Sequence, residues 1–326
     1  MPNNWRPTCS IEMMRLRAQL LADIRQFFSS RTVLEVETPV LSHSSGTDPQ
    51  LDFFTTDYCS PPLEEGLFLQ TSPEFAMKRL LAAGSGSIYQ IAKAFRNGES
   101  GRFHNPEFTL LEWYRVGFTL PQLMDEIAEL MAVLFNGHVA LNPTQRFSYQ
   151  KIFQRYTGLN PLEFSYKSYC DYAQNNHVPE AMDICGYDHS LWLDFIFSHH
   201  VQPHLGESAV CMVYGYPACQ SSLARINGRN PQVTDRVEVF INGIELGNGY
   251  YELTDAKEQD RRFDEEIAVR QQRKRPVTVK NKHLIGALEV GLPECSGMAI
   301  GLDRLLMLLA NSATINDVLN FPVHRA

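Results

Sequence analysis

Two glutamates on either side of a short turn could hold a divalent cation. Asn242-Gly243 is a strong signal for a two-residue hairpin turn, which places Phe240 opposite Glu245. Side chains two apart on a strand share a face, so Glu238 is expected on the same face as Glu245. Two carboxylates on one face repel unless a cation lies between them, and Mg²⁺ that bridges nucleotide phosphates suits such a pair. The same spacing also fits two acids that face solvent.

A glutamate and an arginine in two strand-like runs could bind charged parts of a substrate. In the run Phe108–Tyr114, alternation places Glu112 on one face with apolar neighbours. A buried acid is unfavourable unless it is paired, so Glu112 is a candidate for binding a substrate cation. Arg96 ends the preceding run, Ile88–Phe95, and its planar guanidinium can bind a phosphate or a carboxylate through two hydrogen bonds. A single Arg–Glu pair, however, is more often structural.

An arginine in the C-terminal part of the chain could reach a phosphate. Arg304 follows Gly297 and Gly301 and lies at the start of a predicted apolar helix. Glycines let a ligand approach the backbone closely, and a helix start favours anions. Taken alone this pattern is weak, because a first-turn arginine is common in helices without any such function.

Other chemistries lack the residues that they need. The seven cysteines never form a CxxC pair, and the ten histidines show no HExxH spacing. We therefore expect reduced thiols rather than disulfides or a zinc site. No Ser-His-Asp or Cys-His pattern offers a nucleophile, so a metal, if used, should be held by carboxylates.

The charge balance bears on possible partners. A net charge of −8 over 326 residues argues against non-specific nucleic-acid binding, which depends on neutralising phosphates. The stretch Arg270–Lys282 is locally basic and fits either a solvated helix end or a docking patch for an acidic partner. No signal-peptide pattern and no apolar run of about 18 residues is present. We expect a cytoplasmic protein that does not contact a membrane.

The candidate residues must be positioned by surrounding helices and strands. Apolar spacing predicts helices over Met13–Phe28, from Ser72-Pro73-Glu74 to Gly84, over Thr119–Phe135 and over Ala256–Lys274. Strands are predicted over Val33–Val40, Ile88–Phe95, Phe108–Tyr114 and Ala209–Tyr216, with a hairpin over Arg236–Gly249 and a strand-to-helix passage over Gly297–Leu309. Residues 136–207 give mixed patterns. The whole predicts one α+β domain over residues 1–326, with a mainly antiparallel sheet flanked by helices.

Taken in order, several segments resemble the signature motifs of class II aminoacyl-tRNA synthetases, specifically the lysyl branch. VLEVETP (Val33–Pro39) resembles motif 1, through which these enzymes dimerise, FRNGESGRFHNPEFTLLEWY (Phe95–Tyr114) resembles motif 2, and GMAIGLDRLLML (Gly297–Leu308) resembles motif 3. EVFINGIELGNGYYELTDAKEQ (Glu238–Gln259) and TSPEFAMKRL (Thr71–Leu80) resemble lysyl-enzyme segments that carry magnesium and lysine ligands. The resemblance covers nearly the whole chain and implies the class II catalytic fold.

The resemblance also implies roles for individual residues. ATP would be bound by Arg96, Glu99, His104, Asn105, Phe108, Glu238, Glu245 and Arg304, among which Arg96 and Arg304 are catalytic and Glu238 and Glu245 hold Mg²⁺. The amino-acid pocket would comprise Ser72, Glu74, Glu112, Tyr114, Asn248, Tyr250, Glu252 and Ala299. Strict alternation would put Asn248 and Glu252 on the face opposite Glu245, so we expect a β-bulge at Gly247-Asn248-Gly249.

Two departures from the lysyl-enzyme pattern affect specificity. Motif 2 usually contains Arg-x-Glu, but here Arg96-Asn97-Gly98-Glu99 leaves the adenine contact of that glutamate open. Ala299 stands where the lysyl enzymes have glycine. One methyl group in a packed pocket can discriminate by about 1–3 kcal/mol, so Ala299 is expected to disfavour α-lysine relative to a β-isomer.

Because motif 1 is complete by Pro39, we expect no anticodon-binding OB domain of the kind found in the lysyl enzymes. In this the chain resembles the elongation factor P–lysine ligase family, which attaches lysine, preferentially (R)-β-lysine, to elongation factor P. The resemblance therefore implies a cytoplasmic homodimer that uses ATP and Mg²⁺, with elongation factor P as acceptor and tRNA binding not expected. The alternatives are a freestanding synthetase core that charges tRNA and a non-catalytic regulatory paralogue. An ammonia-dependent asparagine synthetase conflicts with a pocket lined by acids.

Overall fold

A computed structural model describes residues 5–326, without the side chains of residues 63 and 64. Along the described chain the helices are α1 (Ile11–Ser29), α2 (Glu74–Ala82), α3 (Leu120–Phe135), α4 (Tyr149–Thr157), α5 (Tyr166–Asn175), α6 (Ala181–Cys185), α7 (His189–Ile196), α8 (Ala256–Gln272), α9 (Lys282–Val290) and α10 (Leu302–Leu309). The strands are β1 (Leu34–Glu35), β2 (Leu41–Ser42), β3 (Thr55–Ser60), β4 (Leu63–Leu69), β5 (Ile88–Phe95), β6 (Glu107–Val116), β7 (Asn142–Ser148), β8 (Ala209–Tyr214), β9 (Arg236–Ile241), β10 (Ile244–Tyr251) and β11 (Cys295–Gly301).

The chain forms two compact units. Unit 1 contains the chain up to Phe118 together with Val133–Val139 and Leu253–Ala326, and unit 2 contains Thr119–Ala132 and Ala140–Glu252. The α+β prediction is confirmed: most strand pairs are antiparallel, whereas β1–β5 and β7–β8 are parallel. The prediction of a single catalytic domain stays a prediction. None of the helices within residues 5–326 is long and apolar enough to cross a membrane.

In unit 1 the strands run in the order β1, β5, β6, β11, and α1 packs on them. Ser10 caps α1 by accepting a hydrogen bond from the Met13 amide, as N-cap serines do. The Phe28 ring then stacks on Tyr89 with the ring centres 4.6 Å apart and lies 5.4 Å from Trp113. The predicted helix over Met13–Phe28 is thus confirmed, and its apolar face covers the sheet.

The strand predicted over Val33–Val40 was too long, since only Leu34–Glu35 is a strand in that range. The Leu34 amide donates to Ser87 and the Val36 amide to Tyr89, after which the pairing with β5 ends. Pro39 has no amide hydrogen and restricts the residue before it, so the chain leaves the sheet here.

Asp303 joins three of the motif elements of unit 1. Only 2% of its surface is exposed, and its carboxylate forms an ion pair with Arg17 of α1. Its second oxygen accepts from the Thr109 amide of β6 at 2.7 Å. Because a buried carboxylate needs several partners, Asp303 fixes the start of α10, and with it the position of Arg304.

The basic stretch Arg270–Lys282 was expected to be either a solvated helix end or a docking patch, but several of its side chains form ion pairs within unit 1. Arg270 is fully buried, and its guanidinium donates to the carbonyls of Asp48, Leu51 and Pro276 and to the Asp52 carboxylate at 2.6–2.9 Å. Arg275 also pairs with Asp52, and Lys280 pairs with Asp260 and Asp264. Much of the positive charge therefore holds loops of unit 1 in place.

Unit 2 contains most of residues 136–207, for which the sequence patterns led to no clear prediction of helices and strands. Its strands run in the order β10, β9, β8, β7, with α4 to α7 and a single π-helical turn, Phe197–Val201, beside them. The helices bury an aromatic cluster in which the Tyr149 ring lies 4.9 Å from Phe197 and 4.7 Å from Tyr216. Aromatic residues spread over several short helices give no simple period, which explains the mixed pattern over residues 136–207.

Candidate active site

Glu112 is a buried carboxylate on β6 of unit 1. Only 2% of its surface is exposed, and the Ser72 hydroxyl donates to it at 2.7 Å and the Tyr114 hydroxyl at 2.8 Å. Burial, followed by the negative charge of Glu74, raises the pKa of Glu112 to about 8, although these hydrogen bonds and Lys78 oppose the shift. The structure thus brings together three predicted pocket residues, Ser72, Glu112 and Tyr114.

Glu74 lies beside Glu112 and carries a buried partner that the sequence did not identify. Ser72 accepts a hydrogen bond from the amide of Glu74, the first residue of α2, at 3.1 Å. One turn later, the Lys78 ammonium donates to the Glu74 carboxylate at 2.5 Å, and only 1% of Lys78 is exposed. A Glu–Lys pair four residues apart usually lies on a solvated helix face, so its spacing gave no sign of burial.

Ala299 is the direct cross-strand neighbour of Glu112. In the β11–β6 pair, Ala299 opposes Glu112 and Gly297 opposes Tyr114. Opposed residues of an antiparallel pair have β-carbons about 4.5–5.5 Å apart. The Ala299 methyl group therefore lies near the β-carbon of Glu112, on the same face of the sheet.

The two arginines of unit 1 predicted to bind phosphates, Arg304 and Arg96, each contact other residues of motif 2. The Arg304 guanidinium lies 2.5 Å from the His104 ring and donates to the Phe103 carbonyl at 3.2 Å. The Arg96 guanidinium lies 5.0 Å from the centre of the Phe108 ring and 3.6 Å from the Glu99 carboxylate. Glu99 is thus within reach of Arg96 despite the extra residue in this loop.

Asn105, predicted to bind the nucleotide, is occupied by backbone contacts. Its amide nitrogen donates to the Glu107 carbonyl at 2.6 Å, and its side-chain oxygen accepts from the Val323 amide at 3.0 Å. Only 6% of the residue is exposed. These contacts fit a role in fixing the motif 2 loop, while a nucleotide contact stays a prediction.

In unit 2 the hairpin has the predicted register. Ile244 pairs with Ile241 and Glu245 pairs with Phe240, and both turn residues, Asn242 and Gly243, have positive φ. The predicted bulge is present but lies between Glu245 and Gly247, so Leu246 is the extra residue. After it, Asn248 opposes Glu238 directly, which returns Asn248 to the face of Glu245 as the pocket requires.

Glu238 belongs to a hydrogen-bonded network within unit 2. Arg236 donates to one of its oxygens at 2.6 Å, and the Tyr216 hydroxyl donates to the other at 2.5 Å. Burial raises the pKa of Glu238 to about 7, since Arg236 offsets burial only in part and the charge of Glu245 adds to it. The sequence placed Arg236 in the hairpin and Tyr216 at the end of a strand, but neither position pointed to a contact with Glu238, so both supporting roles were missed.

The network extends to the predicted amino-acid ligands of this unit. Arg236 donates to the Asn248 side-chain oxygen at 3.2 Å, and Asn248 donates to the Tyr250 hydroxyl at 2.7 Å. Tyr250 in turn donates to Ser222, another residue that the sequence did not single out. Glu252, just after β10, has 1% of its surface exposed.

Comparisons with known proteins agree with these motifs. The family model for class II tRNA synthetases (D, K and N) matches residues 4–325. An elongation factor P–(R)-β-lysine ligase of Vibrio parahaemolyticus is 46% identical over 327 residues, covering 99% of both chains. The enzymes of that name from Pasteurella multocida and Yersinia enterocolitica are 43% and 42% identical, with 99% of this chain and 98% of theirs covered.

We predict that Glu112→Gln changes how stability depends on pH. A carboxyl whose pKa rises from 4.5 to about 8 on folding contributes stability that is complete below pH 4.5 and is lost as the pH rises through about 8. Denaturant titrations give the free energy of unfolding of the parent and of Glu112→Gln at each pH. The difference, parent minus variant, should therefore decrease as the pH is raised from 5 to 8.5. A difference that stays constant over this range would show that Glu112 keeps its ordinary pKa.

Proposed function

The chain belongs to the class II tRNA synthetase family, and from this premise we propose that it is an ATP-dependent ligase that joins (R)-β-lysine to elongation factor P. The observation that carries the proposal is the match to ligases of that name along nearly the full length of both chains. The buried acids Glu74 and Glu112 support it, because a pocket for an ammonium group needs carboxylates that are shielded from water.

The reaction has two steps. The amino-acid carboxylate attacks the α-phosphorus of ATP, the bond to pyrophosphate breaks, and an aminoacyl-adenylate forms. The amine of the acceptor lysine then attacks the carbonyl carbon, loses a proton and displaces AMP, which leaves an amide. In the first step Arg96 and Arg304 stabilise the charge that develops on the phosphates.

We assign Mg²⁺ to Glu238 and Glu245. The two carboxylates are close enough for the charge of Glu245 to raise the pKa of Glu238, and a cation would relieve that repulsion. When bound, the ion would neutralise phosphate charge on ATP. Glu238 is oriented for this role by Arg236 and Tyr216, which bond to its two oxygens.

Mass spectrometry of elongation factor P tests the function directly. After incubation with this protein, ATP, Mg²⁺ and (R)-β-lysine, the factor should gain the mass of one lysyl group, while a tRNA offered in its place should not.

Glu245→Ala should abolish both this gain and ATP–pyrophosphate exchange, since the metal-binding pair is lost. Charging of tRNA without modification of the factor would instead favour a freestanding synthetase core. Because the acceptor is a translation factor, we place the reaction in the cytoplasm, which cell fractionation would check.

Retention of the proposed ATP ligands argues against a purely regulatory paralogue. Arg96, Arg304, Glu238 and Glu245 are all present, and a non-catalytic protein would have no need for this set. If the protein catalysed no ATP–pyrophosphate exchange with either lysine isomer, the non-catalytic regulatory paralogue would be favoured instead.

We predict that Ala299→Gly relaxes the choice of lysine isomer. Removing the methyl group of this neighbour of Glu112 would enlarge the proposed pocket, and one methyl group is worth about 1–3 kcal/mol of discrimination. The kcat/KM for α-lysine in exchange assays should rise about tenfold or more relative to that for (R)-β-lysine. An unchanged ratio would remove Ala299 from the selection of substrate.

We further propose that the chain dimerises through the motif 1 region. Leu34 of β1 is 55% exposed, and α1 and β1 border a depression of about 690 Å³ lined by Arg25, Glu35 and Tyr89. An exposed apolar side chain beside such a depression fits a partner surface. Leu34→Glu should therefore yield monomers in sedimentation velocity, whereas Val290→Glu, on an exposed position of α9, should not. Equal behaviour of the two variants would count against this interface.

A further inference from the structure

Lys78 lies where a lysine is unfavourable. It is on the buried face of α2 with Met77 and Leu81, and 1% of its surface is exposed. An exposed Glu–Lys pair four residues apart would stabilise the helix slightly, but a buried pair must first lose its hydration. Apolar residues of similar size often replace a buried ion pair without loss of stability. The stability of α2 therefore does not explain why this lysine is present.

The pair lies beside the proposed amino-acid pocket. Ser72 accepts from the Glu74 amide and donates to the Glu112 carboxylate, so one hydroxyl links the two acids. The negative charge of Glu74 raises the pKa of Glu112, and the positive charge of Lys78 lowers it. Within the described part of the chain, the titratable groups with the largest effect on Glu112 are Glu74 and Lys78 from α2 and Tyr114 from β6.

We propose that Lys78 is a positioning residue that neutralises Glu74, so that Glu112 can meet the ammonium group of the amino acid as a carboxylate. This inference rests on the proposed function. With the Lys78 ammonium in place, the charge of Glu74 is offset, so Glu112 can present its own negative charge to a substrate ammonium. Without it, the two acids repel, and Glu112 retains a proton that competes with the substrate.

The expected signature is a shift in a pH profile. Each variant is assayed by ATP–pyrophosphate exchange with (R)-β-lysine from pH 6.5 to 9.5, and 1/KM for the amino acid is plotted against pH. In the parent 1/KM should rise to a plateau as Glu112 ionises. In Lys78→Met the midpoint of this rise should move up by about one pH unit or more, because an opposite charge is lost. At pH 7.5 its KM should then rise about tenfold, with the KM for ATP and kcat at saturation unchanged.

The neighbouring acid supplies the matched variants. Glu74→Gln leaves the cation without its acid, so the midpoint should move down. Lys78→Met/Glu74→Gln removes both charges, so its midpoint should return towards that of the parent. Lys93→Met, which removes a half-exposed lysine of β5 paired with Glu107, should leave the profile unchanged. The amines of the substrate titrate identically in every assay, so differences between variants report on the pocket.

Two outcomes overturn the inference. In one, Lys78→Met and the double variant raise KM by the same factor, while the midpoint of the pH profile stays where it is in the parent. Lys78 would then be a packing residue. In the other, Glu74→Gln and the double variant have the same midpoint, which would mean that the charge of Lys78 does not act on Glu112. This comparison can be made even if Lys78→Met alone does not fold. Absence of exchange in the parent protein would instead contradict the proposed function, so the two failures are distinguishable.

Discussion

The need to compensate buried carboxylates governs the arrangement of both units. A carboxylate that leaves water is stable only where hydrogen bonds and opposite charges replace its hydration. In unit 1, Glu112 receives two hydroxyl groups and Asp303 receives an arginine and a backbone amide. In unit 2, Glu238 receives an arginine and a tyrosine. These requirements fix strands and helices relative to one another within each unit, and the motif residues are fixed with them.

The sequence predicted what depends on local rules. The turn at Asn242-Gly243 determined the pairing of Glu245 with Phe240, because a two-residue loop leaves one register. The need for a bulge followed from alternation alone, but its position did not. The glycines permit a bulge at several places, and the extra residue is Leu246, whose side chain is buried. Burial depends on the rest of unit 2, which the local pattern does not contain.

The residues that the sequence missed are those that support the motif residues from other segments. Arg236 and Tyr216 act on Glu238, and Ser222 reaches Tyr250 across 28 positions of the chain. Lys78 was missed for a different reason, since its spacing from Glu74 is typical of a solvated helix. Arg270 was read as part of a basic surface and is fully buried. In each case the environment, rather than the residue type, determines the role.

A common arrangement emerges in the two units. Each has a pair of glutamates accompanied by one built-in cation: Lys78 beside Glu74 and Glu112, and Arg236 beside Glu238 and Glu245. In both, burial and the neighbouring acid outweigh that cation, so that one carboxyl has a raised pKa, about 8 for Glu112 and about 7 for Glu238. A ligand cation would relieve the imbalance and displace the proton. The built-in cation thus offsets one acid of each pair before the ligand binds, and the ligand cation takes the place of the proton on the other acid.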